Sequence, residues 1–290
     1  MQKKHSIIFL LLFFTLCNTT FAQRRSYKAP KKDYLGSFDD SQWWIGLHGG
    51  VNLSKALPLK SYAIVEPITG GFLSEKKYEG FRRLGVQAGA RVDFNFYTNF
   101  SISFQPTYTN FKFGYTSEYQ WQGQDNNFLN LKYNHRLVLN YLEMPLIARF
   151  DFLRQQFKPY AQIGIGYGLL MKADKYIEIE SFDQASGASN PIQNDSPIIG
   201  AKDLFINSQF LWYLGGGISY DAGNIRLGAE LNYKQGLNNI TNKQNRYADQ
   251  RMIGMLDALD DMTLQNISME FYCVFPMKFL QTSSFRRVKP

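Results

Sequence analysis

The chain has 290 residues, of which 44% are hydrophobic, 16% aromatic and 19% charged, with a formal net charge of +8. That length allows one large domain or two ordinary ones, and the modest charge excludes a disordered tail protein. Two cysteines, Cys17 and Cys273, and three histidines exclude a disulfide-dense scaffold and a Cys-rich zinc module, and leave little for a His-based metal site.

Residues 1–22 read as a secretory signal peptide. Lys3 and Lys4 supply the positive start, residues 7–14 the apolar stretch, and Thr20 and Ala22 the small residues before cleavage at Gln23. A lipoprotein reading through Cys17 is weakened by the bulky Leu16 before it. Residues 23–42 form a basic segment, with Arg24, Arg25, Lys28, Lys31 and Lys32 against Asp33, Asp39 and Asp40.

From residue 43 onward the period is two. Residues 43–53 alternate loosely. Over residues 84–96 the alternation is strict: Leu84, Val86, Ala88, Ala90, Val92, Phe94 and Phe96 share one face, and Gly85, Gln87, Gly89, Arg91, Asp93 and Asn95 the other. Residues 100–108, 142–150, 161–171, 211–220, 225–233 and 267–277 follow, making eight strands. The apolar faces run for about nine to thirteen residues, the length of tilted membrane strands rather than of soluble ones. Aromatics gather at strand ends, among them Trp43, Phe94, Phe96, Phe100, Phe150 and Tyr220, as in an interfacial girdle. Connections alternate between long (54–83, 110–138, 172–208, 236–264) and short (97–99, 151–158, 221–224). Hydrocarbon tolerates no open sheet edge. The expectation is therefore an all-β fold: an eight-stranded antiparallel transmembrane β-barrel over residues 43–279, with short periplasmic turns, long external loops and lipid as its surroundings. A soluble sandwich or lipocalin-like barrel is the competing architecture. Residues 280–290 form a second basic periplasmic end, with Arg286, Arg287 and Lys289.

In such a barrel the polar faces point inward. Arg91, Asp93, Glu143, Arg149, Arg226, Glu230 and Glu270 then form a lumen charge network, with Arg91, Glu143 and Glu230 at one depth and His48 and Gln105 near it. Eight strands leave a bore only wide enough to be filled by side chains, so these charges are expected to pair into a plug; a narrow ion path is the alternative. No cofactor loop, metal spacing or nucleic-acid module appears. The glycines at 164, 166 and 168 lie inside a strand, with no following helix to bind a nucleotide, and make room in the lumen. His48 has no evident serine partner and His135 reads as a loop residue, so an enzyme is not expected. Over residues 248–262, Met252, Met255, Leu256, Leu259 and Met262 recur at helical spacing. They predict a short external helix that either caps the mouth or offers a Met-rich face to a partner.

Several of these stretches resemble a known family. Asn140 to Arg149 (NYLEMPLIAR), the following FKPYAQIGIGYG from Phe157, the closing LQNISMEF from Leu264 and the opening GLHGGVN from Gly46 are similar to strands of the PorT-like outer-membrane β-barrel family. The resemblance spans roughly residues 43–279. It implies an outer-membrane barrel with no catalytic residue. Its named member works in type IX secretion, so the resemblance also implies an accessory or scaffold role in an envelope assembly. A channel and a surface-binding adhesin stand as alternatives.

Overall fold

The computed structural model describes residues 43–64, 72–97, 99–122, 128–153, 155–183, 190–191, 198–222, 225–247, 252 and 256–277. The signal peptide, both basic ends and Met255 lie outside the described residues. Among the described residues twelve strands form one sheet: β1 (Trp43–Lys60), β2 (Phe72–Tyr78), β3 (Arg83–Tyr97), β4 (Phe100–Phe104), β5 (Thr107–Gln122), β6 (Phe128–Asp151), β7 (Phe157–Asp183), β8 (Asn190–Pro191), β9 (Ile198–Gly200), β10 (Ser208–Ala222), β11 (Ile225–Gly236) and β12 (Asp261–Pro276).

The pairings close on themselves. β1 pairs antiparallel with both β3 and β12. From β3 the ring continues through β4 and β5 to β6, then β7, β10, β11 and back to β12. β4 and β5 are one barrel strand interrupted at Gln105 and Pro106, where proline has no N–H to give the ladder. Eight strands thus circle the lumen and leave no free edge, as hydrocarbon requires. Short connections follow β3, β6 and β10, and define one end of the barrel. At that end an outward aromatic band runs from Trp43 on Phe94 (4.6 Å) to Phe96 on Phe100 (6.2 Å), Phe100 on Phe150 (4.8 Å) and Phe150 on Phe152 (5.5 Å). The outer face above it is apolar, with Leu47, Val86, Leu146, Ile165, Leu214, Leu227 and Phe271 exposed.

The expected long loops 54–83, 110–138 and 172–208 need correction, because much of each is strand. β6 alone has 24 residues, about 80 Å of extended chain against an apolar band of about 25 Å. The sequence conceals this because the polarity inverts partway along. In the half of β6 near the short turns, Leu142, Leu146 and Phe150 face out while Glu143 and Arg149 face in. In the other half Lys132, Asn134, Arg136 and Asn140 face out, while Tyr133, Leu137, Leu139 and Tyr141 are buried. β5 turns over likewise, from outward Tyr108 to inward Phe111, Phe113 and Tyr115. β7 adds a bulge: Asn140 pairs with Lys172 and Tyr141 with Leu170, so Met171 is unmatched and the inward positions change from even to odd.

β2, β5, β6, β7 and β9 therefore form a wall that projects past the membrane band at the long-loop end. Its inner face holds an apolar cluster including Phe111, Phe113, Leu137, Leu139, Ile177, Leu204, Phe205, Leu259 and Met262. The helix expected over 248–262 needs correction over its described stretch 256–262. Met252 is helical, Leu256 lies in a turn, residues 257–260 have no regular structure, and Asp261 and Met262 already belong to β12. Met252, Leu259 and Met262 are buried and Leu256 packs against the same cluster, so these four side chains turn into the mouth.

The membrane boundary set by the inversion is testable on one strand pair. Ile165→Arg, in the middle of the apolar outer face, is expected to cost about 2–4 kcal/mol. Asn134→Arg, on the projecting wall, should stay within about 0.5 kcal/mol. Urea unfolding in lipid vesicles measures both.

Candidate functional site

Two layers occupy the barrel axis. The lower one is ionic. Arg91 of β3 is fully buried; its Nε donates to Asp93 (2.9 Å) and its Nη1 to Glu230 of β11 (2.9 Å). Its guanidinium lies 3.9 Å from the ring of Tyr272. Arg149 lies 3.6 Å over Tyr160 and donates to Tyr272 Oη and Ser219 Oγ, both at 2.8 Å. Tyr160 Oη donates to Glu230 (2.8 Å), closing the cluster. Asn232 bridges Glu230 (3.1 Å) to Glu270 (3.2 Å). Arg226 stands nearer the short turns, 4.1 Å over Trp44, with Asp221 at 2.7 Å.

Thus Arg91, Asp93 and Glu230 meet directly, and Arg149 and Glu270 join through Tyr160 and Asn232. Glu143 does not reach Arg91. It is fully buried and takes Lys234 of β11 (2.9 Å) and Thr109 (2.7 Å) as partners, with Gln87 also on Lys234 (3.1 Å). Lys234 continues the even-numbered inward face of Arg226 and Glu230, and running that alternation one step further finds it. Glycines make room for the bulky tyrosines and amides: a Cβ on Gly166 would sit 2.7 Å from the Tyr213 ring, and one on Gly168 3.0 Å from Gln209.

His48 has a hydroxyl partner that sequence reasoning missed. Its Nδ1 lies 2.8 Å from Glu270 Oε2 and its Nε2 3.1 Å from Thr107 Oγ1. The order resembles an acid–base–hydroxyl relay. Thr107, however, donates to the Gln105 carbonyl (2.6 Å), and all three side chains are buried among lumen groups. The arrangement fastens β1, β5 and β12 together. Among the described residues, no group of three or more His, Cys, Asp or Glu is placed to hold a metal ion.

The upper layer is the apolar cluster, with one buried ionic knot inside it. Asp257 is fully buried, paired with Lys175 of β7, bonded by Tyr115 Oη (2.7 Å) and 3.3 Å from Lys76 Nζ. His135 stacks on Tyr115 (4.4 Å), 3.9 Å from Asp257, and neither ring nitrogen has a hydrogen-bond partner. Burial alone would raise the Asp257 pKa, but Lys175, with His135 and Lys76, holds it well below the usual carboxylate range. Burial first, and then the charge of Lys175, push His135 down to about 3.

Two tests follow from these layers. Glu143→Ala strands Lys234 in the lumen and is expected to cost about 3–5 kcal/mol, whereas the volume-matched pair Glu143→Leu/Lys234→Met recovers most of it. Denaturant midpoints in vesicles compare them. The second is pH dependence. The unfolded chain protonates His135 near pH 6.5 and the folded one only near 3, so stability is lost as pH falls through that window, by about 2 kcal/mol between pH 7 and 5. Asp257 adds a further loss below about pH 4, where its unfolded carboxyl takes up a proton and the folded one does not. His135→Phe should flatten the pH 7–5 slope and keep the part of the more acid loss that Lys175 and Lys76 cause.

The sequence matches the outer membrane protein beta-barrel domain over residues 21–242. No curated protein matches the chain. Among solved structures it is similar to Neisserial surface protein A (9% identity, 79% of this chain and 95% of that one, TM-score 0.33). It is also similar to Ail, the attachment invasion locus protein of Yersinia pestis (11% identity, 81% and 99%, TM-score 0.28), and to OprG from Pseudomonas aeruginosa (10% identity, 80% and 96%, TM-score 0.31). At such identities and scores it is the strand pairings, not these likenesses, that define the architecture. With its ring closed, its apolar face turned outward and most of its length matched, the chain belongs to the outer membrane protein beta-barrel domain family and is a protein of the bacterial outer membrane.

Proposed function

We propose that this protein is a non-enzymatic, non-conducting anchor that holds a docking platform at the cell surface, as an accessory or scaffold of an envelope assembly. The observation that carries this is the double occlusion of the barrel axis. The ionic layer around Arg91 and Glu230 fills the membrane half, and the apolar cluster around Leu137 and Leu259 fills the mouth. A narrow channel would need a continuous hydrated path, and side chains of two kinds stand across it. In this reading the short turns and both basic ends face the periplasm, and the projecting β2–β5–β6–β7–β9 wall faces outward. The ends then have anionic headgroups nearby, worth about 1 kcal/mol per basic residue.

Type IX secretion is the assembly we favour. Support comes from the Asn140–Arg149 strand and its neighbours, which resemble the PorT-like family. Two measurements separate the parts of the proposal. Reconstituted in planar bilayers, the protein should give no conductance steps; steady unitary currents would overturn the sealed-anchor reading. Depleting it should selectively lower surface and secreted proteins that carry the type IX export signal. An unchanged export profile would remove that assembly and leave the anchor reading to be tested with other envelope complexes.

A further inference from the structure

Residues 256–262 cross the long-loop mouth before and into the start of β12. Leu256 has a left-handed backbone (φ 57°), and residues 257–260 have no regular structure. Their contacts are those of a peptide lying in a cleft. Asp257 enters between Lys175, Lys76 and Tyr115. Lys76 also bonds the Ala258 carbonyl and reaches Asp260 (3.2 Å). Asp260 accepts from the Tyr62 backbone N–H (2.8 Å) and from Tyr78 Oη (2.7 Å). Tyr119 Oη donates to the Leu256 carbonyl, and Leu259 sinks into the apolar cluster. The side chains that receive Asp257 and the Asp260 carboxylate come from β2, β5 and β7 of the projecting wall, while Asn239, Thr241 and Arg246 after β11 hold the Asp260 carbonyl, Asp261 and Met262.

We propose that this mouth is a binding cleft for an extended acidic peptide of a partner protein, and that segment 256–262 occupies it as an internal competitor. The peptide would carry two carboxylates three residues apart, with a leucine-sized side chain between them. The inference rests on the docking-platform reading and names its ligand class. Three features make the occupant exchangeable. It is held at 257–260 by ion pairs, by tyrosine and Thr241 hydroxyls, by the Tyr62 amide and by its own Asp257 amide on the Met252 carbonyl, rather than by a strand ladder, and buried ion pairs give little net stability. Its closed position keeps Leu256 in a backbone region that L residues avoid and leaves both nitrogens of His135 without partners. Lifting the strap admits water to His135, and an incoming acidic peptide restores the same pairs, so the exchange is close to balanced.

The test uses the full chain in phospholipid nanodiscs and a fluorescein-labelled peptide of residues 256–262 (LDALDDM), read by anisotropy. Asp257→Asn/Asp260→Asn should weaken the internal strap and bind the peptide at least about tenfold more tightly than wild type. Adding Lys76→Ala should abolish that gain, and a peptide with Asn at both positions should not bind. Equal binding to wild type and variant, binding of the Asn peptide, or no binding to a variant that keeps its heat-modifiable gel migration would each overturn the proposal. A second measurement needs no variant. In the wild-type protein, amides of residues 257–260 should exchange at least about a hundredfold faster than those of residues 264–272 in β12. Equal protection would make the segment a fixed part of the core and overturn the proposal whatever the variant does. Neither readout depends on conductance or export, so failure here is distinguishable from failure of the platform reading.

Discussion

Every level of this structure descends from one constraint: backbone amides inside hydrocarbon must bond to one another. That forces the sheet to close, and β1 meets β12 along sixteen matched positions to close it. Closure with eight strands leaves a bore about one layer of side chains wide. Alternation sends every second residue of each strand into that bore, away from lipid. Many of those residues are polar, so they must satisfy one another. Three arginines take part, each over an aromatic ring: Arg91 at Tyr272, Arg149 at Tyr160 and Arg226 at Trp44. Such pairing fits a charged group and a large apolar one into the same narrow section.

Outside the bilayer the constraint lapses and the polarity rule reverses. There the strands behave as those of an ordinary soluble sheet, dry inside and wet outside. β5, β6 and β7 each carry both regimes on one continuous strand, with a single register shift at Met171 in the β6–β7 ladder. This explains which parts were legible in the sequence. Residues 84–96, 142–150 and 225–233 lie wholly in the membrane regime, and their alternation gave strand, direction and facing correctly. Residues 110–122 and 128–140 alternate too, but with apolar residues on the face that had been polar, so they read as noise between strands. In β7 the bulge at Met171 changes parity at nearly the same level, and a reading by fixed period cannot cross it.

The lumen was more legible than the mouth for a related reason. Inward positions in the membrane regime are few and polar, so a charged residue there announces itself, as Arg91, Asp93 and Glu230 do. Their partners were harder. Tyr160 and Tyr272 look like any barrel aromatic, and pairing Glu143 with Lys234 rather than Arg91 depends on tilt and stagger, which one strand's sequence does not contain. The knot at the mouth had no local signature. Asp257, Lys76, Lys175, Tyr115 and His135 come from five separate stretches and meet only through the closed ring. Met252, Leu259 and Met262 gave a true apolar signal, but a helical period does not carry through residues 256–262, which pass from turn to irregular chain to strand.

The two layers on the barrel axis are built from different chemistry and share few side chains. Arg91 and Arg149 bond with Asp93, Glu230, Tyr160 and Tyr272 in one layer, and Asp257 with Lys175, Lys76 and Tyr115 in the other. A substitution at Asp257 therefore leaves these partners of Arg91 in place, and one at Arg91 leaves these partners of Asp257. Like two locks on one door, the ends of the axis can be altered one at a time.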